Sequence, residues 1–331
     1  VEMARSFSAQ PPRREMDMLL STGERTTMAL LSMALIEKGL AAVSLTGSQA
    51  GIITNDRHTD AQVIEVRPFR VQDEMAKGKV VIIGGFQGVS YRRDITTLGR
   101  GGSDTTAVAL AAALGAKRCE IYSDVDGVYS ADPSMVGDAI HLPELSYPVM
   151  QEMSAAGAKV LNAHAVQFAK EKQIAIYARS TFSPGRESII RVMPAQAITG
   201  VQAVVSEQGV TRVRFNGENA NNDFNHAVTY LEQEQVQIKE VHLSQIDADN
   251  GQCRAGFVVS SNNLYGWEKI RAHLKKRIGG GIFFDEDLAA LSLIGEGLTR
   301  NSLVLMETLA LLDKKGISVS GIATTSFRIS L

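Results

Sequence analysis

The sequence predicts an α/β fold followed by smaller α+β modules, and three observations lead to that prediction. A compact apolar run, Val80–Ile83, ends at paired glycines, as a buried parallel strand does. Helical patterns such as Arg14–Lys38 alternate with such runs along the first half of the chain. After Ser183-Pro184-Gly185 the pattern changes to short strands and single helices. We therefore expect two parts, covering residues 1–190 and 191–331.

Each element of the first part follows from a local pattern. In Arg14–Lys38 apolar residues recur at helical spacing, and Gly39 stands where a helix would end. Thr105–Leu114 is rich in alanine, with Ser103 as the predicted N-cap and Gly115 as the stop. The other predicted elements are strands at Val43–Leu45, Val63–Val66, Val80–Ile83, Cys119–Ser123 and Ile174–Ala178, and helices around Tyr147–Met153 and Ala163–Lys172.

The pattern in the second part of the sequence predicts two related modules, because the order β-α-β-β-α starts a second time. The second copy lacks its last helix. The first module has predicted strands at Thr211–Phe215, Ile238–Leu243 and Arg254–Val259, and helices at Phe224–Glu232 and Trp267–Lys276. The second has predicted strands at Leu288–Ile294, Ile317–Gly321 and Ser326–Leu331, and a helix at Ser302–Lys314.

The composition is that of an ordinary globular protein and excludes several classes of function. Among 331 residues, 34 Lys and Arg face 36 Asp and Glu, a net charge of −2, so no broad positive field is available for nucleic acid. No stretch approaches the roughly 18 unbroken apolar residues of a membrane span, and no signal-peptide core is visible, so a cytoplasmic protein is expected. Neither the six histidines nor Cys119 and Cys253 show metal-ligand spacing, so no protein-bound metal is predicted.

The densest candidate site is the block Thr96–Thr106, in which three glycines surround Arg100. Glycines let backbone amides approach a ligand closely, and the helix that follows presents free N–H groups and the positive end of its dipole to an anion. The pattern is neither a Walker A loop nor a nucleophile elbow. The alternative is a tight strand-to-helix turn capped by Ser103 and Asp104, but such a turn has no need of the arginine.

Two further stretches suggest ligand contacts. Gly84–Gly88 closes the strand Val80–Ile83, and ligands of open α/β sheets bind beyond the carboxyl ends of strands. Its alternative is a glycine turn with Phe86 packed inward. Tyr122–Pro133 combines an aromatic ring with carboxylates, which suits a nucleotide base and ribose, although a plain hairpin has the same residues.

Single charged residues complete the candidates. Glu24 follows Gly23 within a helix, where glycine costs about 1 kcal/mol relative to alanine unless its missing side chain makes room for something. A ligand could approach there, or a neighbouring helix could pack closely. Lys159 follows a glycine between apolar residues, where a flexible ammonium could reach phosphate oxygens; an ordinary surface lysine is the alternative.

Taken together, the motifs resemble the aspartate kinases of the amino-acid kinase family. The resemblance covers nearly the whole chain, and the run Thr-Thr-Leu-Gly-Arg-Gly-Gly-Ser-Asp from Thr96 is its most specific part. The motifs that carry it are Leu20–Glu24, Leu45–Ile52, Gly85–Gly88, Thr96–Thr106, Ser123–Pro133 and Gly157–Leu161. The resemblance implies an amino-acid kinase fold, a mostly parallel sheet covered by helices on both faces. It also implies transfer of the γ-phosphoryl group of ATP to the side-chain carboxylate of L-aspartate, the first step toward lysine, threonine and methionine.

The resemblance also implies individual roles. L-aspartate carries an ammonium and two carboxylates, so Glu24 would bind its ammonium and Arg100 its α-carboxylate. The remaining implied substrate residues are Thr46, Phe86 and Ser103. The implied catalytic residues are Lys159, Asp104 and Arg100, and Mg²⁺ brought by the nucleotide would act with them on the phosphoryl group. The implied nucleotide-binding residues are Ser123, Asp124, Tyr129, Asp132, Pro133 and Lys159.

The residues 191–331 resemble the tandem ACT regulatory modules of that family. Module 1 would cover about 209–279, and module 2 about 196–206 plus 285–331, incomplete at its end. This implies a homodimer or higher homo-oligomer and an amino-acid effector, lysine or threonine. The family's N-terminal Lys-Phe-Gly-Gly strand, whose lysine is held by the carboxylate matching Asp104, has no counterpart in the sequence. A non-catalytic amino-acid-sensing homologue is therefore the main alternative, and a glutamate or acetylglutamate kinase is a third.

Overall fold

The computed structural model describes residues 1–8, 11–99, 101–158, 160–183, 185–192, 200–217, 219–247, 252–260, 266–298, 300 and 302–331. The chain divides into two compact units. The first comprises Val1–Ala203 and Ile294–Gly297, and the second comprises Val204–Leu293 and Leu298–Leu331.

The helices of the first unit include every one that was predicted, and two short helices that were not. The two unpredicted helices are Glu2–Phe7 and Phe69–Ala76, and the latter buries only Val71, which leaves a weak helical pattern. The helices are α1 (Glu2–Phe7), α2 (Arg13–Glu37), α3 (Phe69–Ala76), α4 (Gly102–Ala113), α5 (Tyr147–Ala155) and α6 (Ala163–Lys172).

The strands of the first unit include every one that was predicted, together with several that were not. The unpredicted strands have only two to five residues each, too few for a clear periodic pattern. The strands are β1 (Ala42–Leu45), β2 (Ile52–Thr54), β3 (Val63–Val66), β4 (Val80–Ile83), β5 (Gln87–Ser90), β6 (Ile95–Thr97), β7 (Arg118–Ser123), β8 (Val128–Tyr129), β9 (His141–Leu142), β10 (Glu144–Ser146), β11 (Ala175–Ser180) and β12 (Glu187–Arg191).

These strands pair in separate small sheets. β1 and β4 form a parallel pair, and a second sheet has the order β3-β2-β5-β6 with β2 and β5 parallel. A third sheet has the order β10-β12-β11-β7, in which β10 is parallel to β12 and β11 is parallel to β7. Apolar side chains from β1, the loop after it, β2, α3 and α4 pack into one buried cluster, Leu45, Ala50, Ile52, Val71 and Leu110. The β1–β4 pair and α4 thus share a core, which fixes the turns at the strand ends against the helix.

The beginning of α4 differs from the prediction. Gly101, not Ser103, is the N-cap residue, with φ of 69°, and Ser103 lies inside the first turn. A residue with positive φ is accommodated by glycine, so the chain turns at Gly101 and the serine is carried into the helix.

The chain from Gly200 onward follows the predicted order β-α-β-β-α and then restarts. Its first strand and its restarting strand are much longer than predicted. The elements are β13 (Gly200–Gly217), α7 (Ala220–Gln233), β14 (Lys239–Asp247), β15 (Gln252–Ser260), α8 (Trp267–Ile278), β16 (Ile282–Glu296), α9 (Leu303–Lys314), β17 (Ala323–Thr324) and β18 (Arg328–Ser330). They form one sheet in the order β14-β15-β13-β16-β18-β17.

The predicted strand Ile317–Gly321 is wrong, since a two-residue strand, β17, lies beyond it instead. Ile317 and Ile322 are exposed, so burial does not favour a strand there. The backbone carbonyl of Ser320 accepts a hydrogen bond from the Arg212 guanidinium.

The core of the second unit is aromatic. Phe215 of β13 and Phe257 of β15 are fully buried, with ring centroids 5.8 Å apart. Phe224 of α7 meets Phe215 edge to face at 5.9 Å. Alternate side chains of β13 therefore face the helices, as the two-residue period of a strand requires.

In the part of the chain that the structure describes, no helix combines the length and the apolar character that crossing a membrane requires.

Cys119 is buried in β7, and burial raises the pKa of its thiol to about 11. Because the thiolate is the reactive form, we expect the folded protein to leave Cys119 unmodified by iodoacetamide at about pH 8 over the time in which a denatured sample reacts fully. Peptide mass spectrometry would measure this. Rapid native labelling of Cys119 would show that the strand opens or that its thiol is ionised.

Candidate active site

The turn between β4 and β5 is held on three sides. The amide of Gly84 donates to the carbonyl of Leu45, at 2.9 Å. Phe86 has a φ of 66°, an uncommon conformation for a non-glycine residue. Its amide donates to Oγ1 of Thr106 at 3.1 Å, and its carbonyl accepts from the amide of Leu98 at 3.0 Å. The turn is therefore fixed against the end of β6 and the first turns of α4.

The two glycine clusters found in the sequence pack against each other. A Cβ placed on Gly102 would lie 2.7 Å from Cβ of Leu98 and 3.1 Å from Cδ2 of Phe86. A Cβ placed on Gly85 would lie 3.4 Å from Cβ of Ser103. Glycine at these positions thus permits the backbone of one turn to approach the other. The N–H groups of the first turn of α4 lie at this point of contact.

Asp104 lies half-buried in the first turn of α4. Burial raises the pKa of its carboxyl group, and a hydrogen bond from the backbone N–H of Asn162 acts in the opposite direction. Asn162 is the N-cap of α6, where its Oδ1 accepts from the amide of His164 at 2.8 Å. A Cβ placed on Gly101 would lie 2.8 Å from Cβ of Asn162, so the N-termini of α4 and α6 are adjacent.

Helix α2 runs along the same turn. The side-chain amide of Gln87 donates to the carbonyl of Ser21 at 3.3 Å and accepts from Nε of Arg25 at 3.3 Å. Glu24 lies half-buried between those two residues. A Cβ placed on Gly23 would meet no heavy atom of a neighbouring element within 4 Å, so close helix packing, one of the two explanations considered for this glycine, is wrong.

Thr46 begins a loop that packs on β5. Its amide donates to Oε1 of Gln49 at 3.1 Å, and its Oγ1 accepts from the amide of Gln49 at 3.2 Å. A Cβ placed on Gly47 would lie 1.9 Å from the carbonyl oxygen of Gln87. The loop after β1, the turn after β4 and helix α2 therefore meet around Gln87.

The predicted nucleotide-binding stretch Ser123–Pro133 starts at the last residue of β7 and does not form a simple hairpin, because β8 pairs with β9 instead. The hydroxyl of Tyr129 donates to Oδ1 of Asp126 at 2.7 Å and accepts from Nη1 of Arg186 at 3.1 Å. Oδ1 of Asp132 accepts from the amide and hydroxyl of Ser134, at 2.9 and 2.6 Å.

Their accessibility varies. Ser123 and Tyr129 are half-buried, whereas the exposed members of this set are Asp124, Asp132 and Pro133. Oγ of Ser123 accepts from the amide of Val125 at 3.3 Å, so the backbone turns immediately after β7.

The two predicted cationic residues, Arg100 and Lys159, lie outside the described residues. Sequence reasoning missed other polar groups near the glycine clusters. A Cβ placed on Gly99 would lie 2.9 Å from Oδ1 of Asp60, whose carboxyl pKa is raised by burial. Asn162 received no role from the sequence, although its position just before the predicted helix Ala163–Lys172 is a capping signal. Within the described ranges, no group of three or more His, Cys, Asp or Glu residues is placed to hold a metal ion.

Known proteins resemble this chain along its whole length. The model of the amino acid kinase family matches residues 3–180. An aspartokinase of Bacillus sp. (strain MGA3) is 39% identical over 334 residues, covering 100% of this chain and 80% of its own length. An aspartokinase of Mycolicibacterium smegmatis is 39% identical over 340 residues, with the same two coverages.

The solved structure of Escherichia coli aspartokinase III in complex with aspartate and ADP matches with a TM-score of 0.84. It is 23% identical and the match covers 97% of this chain and 72% of that chain, which shows a common fold. The whole-length identity to the curated relatives and the shared fold lead to one conclusion: the chain belongs to the aspartokinases of the amino acid kinase family.

Proposed function

We propose that the chain phosphorylates L-aspartate with ATP to give 4-phospho-L-aspartate. A side-chain carboxylate oxygen of aspartate forms a bond to the γ-phosphorus as the bond from that phosphorus to the bridging oxygen breaks, and ADP leaves with the electron pair. The observation that carries the proposal is the 39% identity to aspartokinases along the whole chain. The close approach of the two glycine turns beside the N-termini of α4 and α6 supports it, because such a reaction requires fixed donors around negative charge.

The substrate site in this proposal has charges of both signs. Glu24 binds the ammonium of aspartate and Arg100 binds its α-carboxylate through a planar, bidentate contact. Phe86, Ser103 and Thr46 border the site. The position of Glu24 on α2, between two residues that hydrogen bond Gln87 of the neighbouring turn, supports its role.

The phosphoryl group requires cations on its other side. Lys159 supplies one, and the N–H groups at the start of α4 supply partial positive charge. The nucleotide would bring Mg²⁺, which usually keeps several waters and binds substrate phosphates with one or two carboxylates. Asp104 fits as such a carboxylate, because it is half-buried at the helix start next to the proposed phosphate position. When bound, Mg²⁺ would neutralise part of the negative charge of the phosphates.

The nucleotide is proposed to lie against the segment after β7. The half-buried Tyr129 offers a ring, and Ser123, Asp124 and Asp132 offer polar groups for the ribose, with Pro133 limiting the turn. The fixed orientation of the Tyr129 hydroxyl between Asp126 and Arg186 supports a preformed surface.

We also propose the predicted division of labour: catalysis by residues 1–190 and regulation by 191–331. ACT module 1 covers about 209–279, and module 2 joins about 196–206 to 285–331. The adjacency of β13 and β16 in the sheet supports that joining. An amino-acid effector, lysine or threonine, and assembly into a homodimer or higher homo-oligomer belong to this proposal.

The first test is ADP formation by the protein with Mg-ATP, with and without L-aspartate, with hydroxylamine present to trap an acyl phosphate. Aspartate-dependent ADP and an equal amount of hydroxamate are expected. L-glutamate and N-acetylglutamate serve as matched controls, because turnover with either in place of aspartate would indicate a different amino-acid kinase. The absence of ADP formation would favour the non-catalytic amino-acid-sensing alternative, and ADP formation independent of any amino acid would contradict the proposed reaction.

Gly23→Ala tests whether the gap beside Glu24 receives substrate. We expect a gain in unfolding free energy of about 0.5 to 1 kcal/mol, because alanine is the better helix residue and the added methyl meets open space. Urea unfolding measures the gain, and the KM for aspartate is expected to stay within about twofold. A raised KM with normal stability would place the ligand at Gly23 itself.

A further inference from the structure

Asp17 is a fully buried carboxylate in the second turn of α2, and groups from two other segments surround it. Nδ1 of His58 lies 2.7 Å from its Oδ2. The amide of Thr59 donates to Oδ1 at 3.0 Å and to Oδ2 at 3.2 Å. The hydroxyl of Thr97 donates to Oδ1 at 2.5 Å. One side chain therefore joins α2, the loop after β2 and the last residue of β6.

These hydrogen bonds fix the positions of the groups around Asp17 more than they add to the free energy of unfolding. A buried carboxylate loses its hydration, and the hydrogen bonds to its oxygens must offset that loss before they add to the net stability of the fold. Its oxygens can only accept hydrogen bonds, and each partner presents a donor. The site therefore fixes where Thr59 and Thr97 stand relative to α2.

Both partner segments lead to the glycine-rich turn. Thr97 is the residue two before Gly99 and three before Arg100. Thr59 precedes Asp60, whose carboxylate lies against Gly99. The position of Gly99, at the start of the glycine-rich turn, thus depends on groups that Asp17 holds.

Asp17 and Glu24 lie on the same face of α2. Seven residues separate them on α2, which is close to two helical turns, so both lie on one face about 10 Å apart along the axis. Helix α2 carries Glu24 as a rigid element, and Asp17 fixes that helix to the strand from which Arg100 follows.

We propose that Asp17 is a positioning residue that fixes Thr97 and Gly99, at the start of the glycine-rich turn, relative to helix α2 and Glu24, and so sets the affinity for the amino-acid substrate. The inference rests on the proposed function, in which Glu24 binds the ammonium and Arg100 binds the α-carboxylate. Asp17 does not touch the substrate in this scheme. It acts through Thr97 and Thr59.

The test compares variants that remove or keep one hydrogen bond. Thr97→Val removes the hydroxyl at nearly constant shape, and Thr97→Ser keeps it. We expect Thr97→Val and Asp17→Asn to raise the KM for aspartate about tenfold, because each leaves buried groups of the cluster unpaired. The KM for Mg-ATP is expected to stay within about twofold, and Thr97→Ser to resemble the wild type. The double variant is expected to be no worse than Asp17→Asn alone, because both changes break the same contact.

A merely structural role would lower the melting temperature and change both KM values together. That result, or an unchanged KM for aspartate in Thr97→Val, would overturn the inference even if Asp17→Asn does not fold. The wild type is measured first. Absence of aspartate-dependent turnover there would refute the proposed function and this inference with it, whereas normal turnover with an unshifted variant refutes the inference only.

Discussion

Asp104→Asn is expected to lower kcat about 100-fold while raising the thermal stability of the protein at neutral pH. The loss of activity follows from the proposed role, since removing one preorganised electrostatic group typically costs about 10²- to 10³-fold. The gain in stability follows from burial, which raises the pKa of the Asp104 carboxyl above its ordinary value. The amide oxygen of asparagine can still accept the hydrogen bond from the backbone of Asn162.

The gain in thermal stability of Asp104→Asn is expected to grow as the pH rises. A raised carboxyl pKa means that the folded state binds the proton more tightly than the unfolded state does. The ionised carboxylate therefore destabilises the folded state. This destabilisation is absent below the ordinary pKa of aspartate and is complete once the pH has risen above the raised pKa. The difference in melting temperature between Asp104→Asn and the wild type should be positive near neutral pH and vanish in acid.

Asp73→Asn is the matched control, because Asp73 is exposed on α3 and its replacement is expected to change neither kcat nor the melting temperature. A variant of Asp104 that loses stability at neutral pH would show that the carboxylate is a structural partner. Full activity in Asp104→Asn would remove it from the proposed machinery.

The parts of the fold that sequence reasoning predicted are those in which apolar residues form a compact run or recur with a clear period. Val80–Ile83, Val63–Val66 and Ala163–Lys172 agree to the residue with β4, β3 and α6. Strands β5 and β6 were missed because their residues are mostly polar or small, and their buried positions include Gln87 and Thr97. Pairing within a sheet, rather than local pattern, makes those segments strands.

The same limit applies to the site. Glycines and charges near each other in sequence identified the turns, and the structure brings Gly85 against Ser103 and Gly101 against Asn162. The Asp17 cluster joins residues 41 and 80 positions apart, so no local pattern contains it. His58 received no role from the sequence, because a histidine without ligand spacing gives no signal until its partner is located.

Arg100→Ala is expected to raise the KM for aspartate about 100-fold while leaving the KM for Mg-ATP within about threefold. Truncating one partner of a desolvated charge pair typically costs about 2 to 5 kcal/mol, and a factor of 100 corresponds to about 2.7 kcal/mol. The effect is confined to the amino acid because Arg100 is proposed to bind the α-carboxylate and not the phosphates. Steady-state kinetics with each substrate varied, and calorimetric titration with aspartate, would measure it.

Two variants sharpen this result. Arg100→Lys keeps the charge but loses the planar bidentate contact, so its KM for aspartate should fall between those of the wild type and the alanine variant. Arg92→Ala removes a guanidinium of the same sign whose side chain is 78% exposed, and it should behave as the wild type. Equal increases of both KM values in Arg100→Ala would instead assign Arg100 to the phosphates. Aspartate would then lack its cationic partner, and the substrate orientation proposed from Glu24 and Arg100 would be refuted.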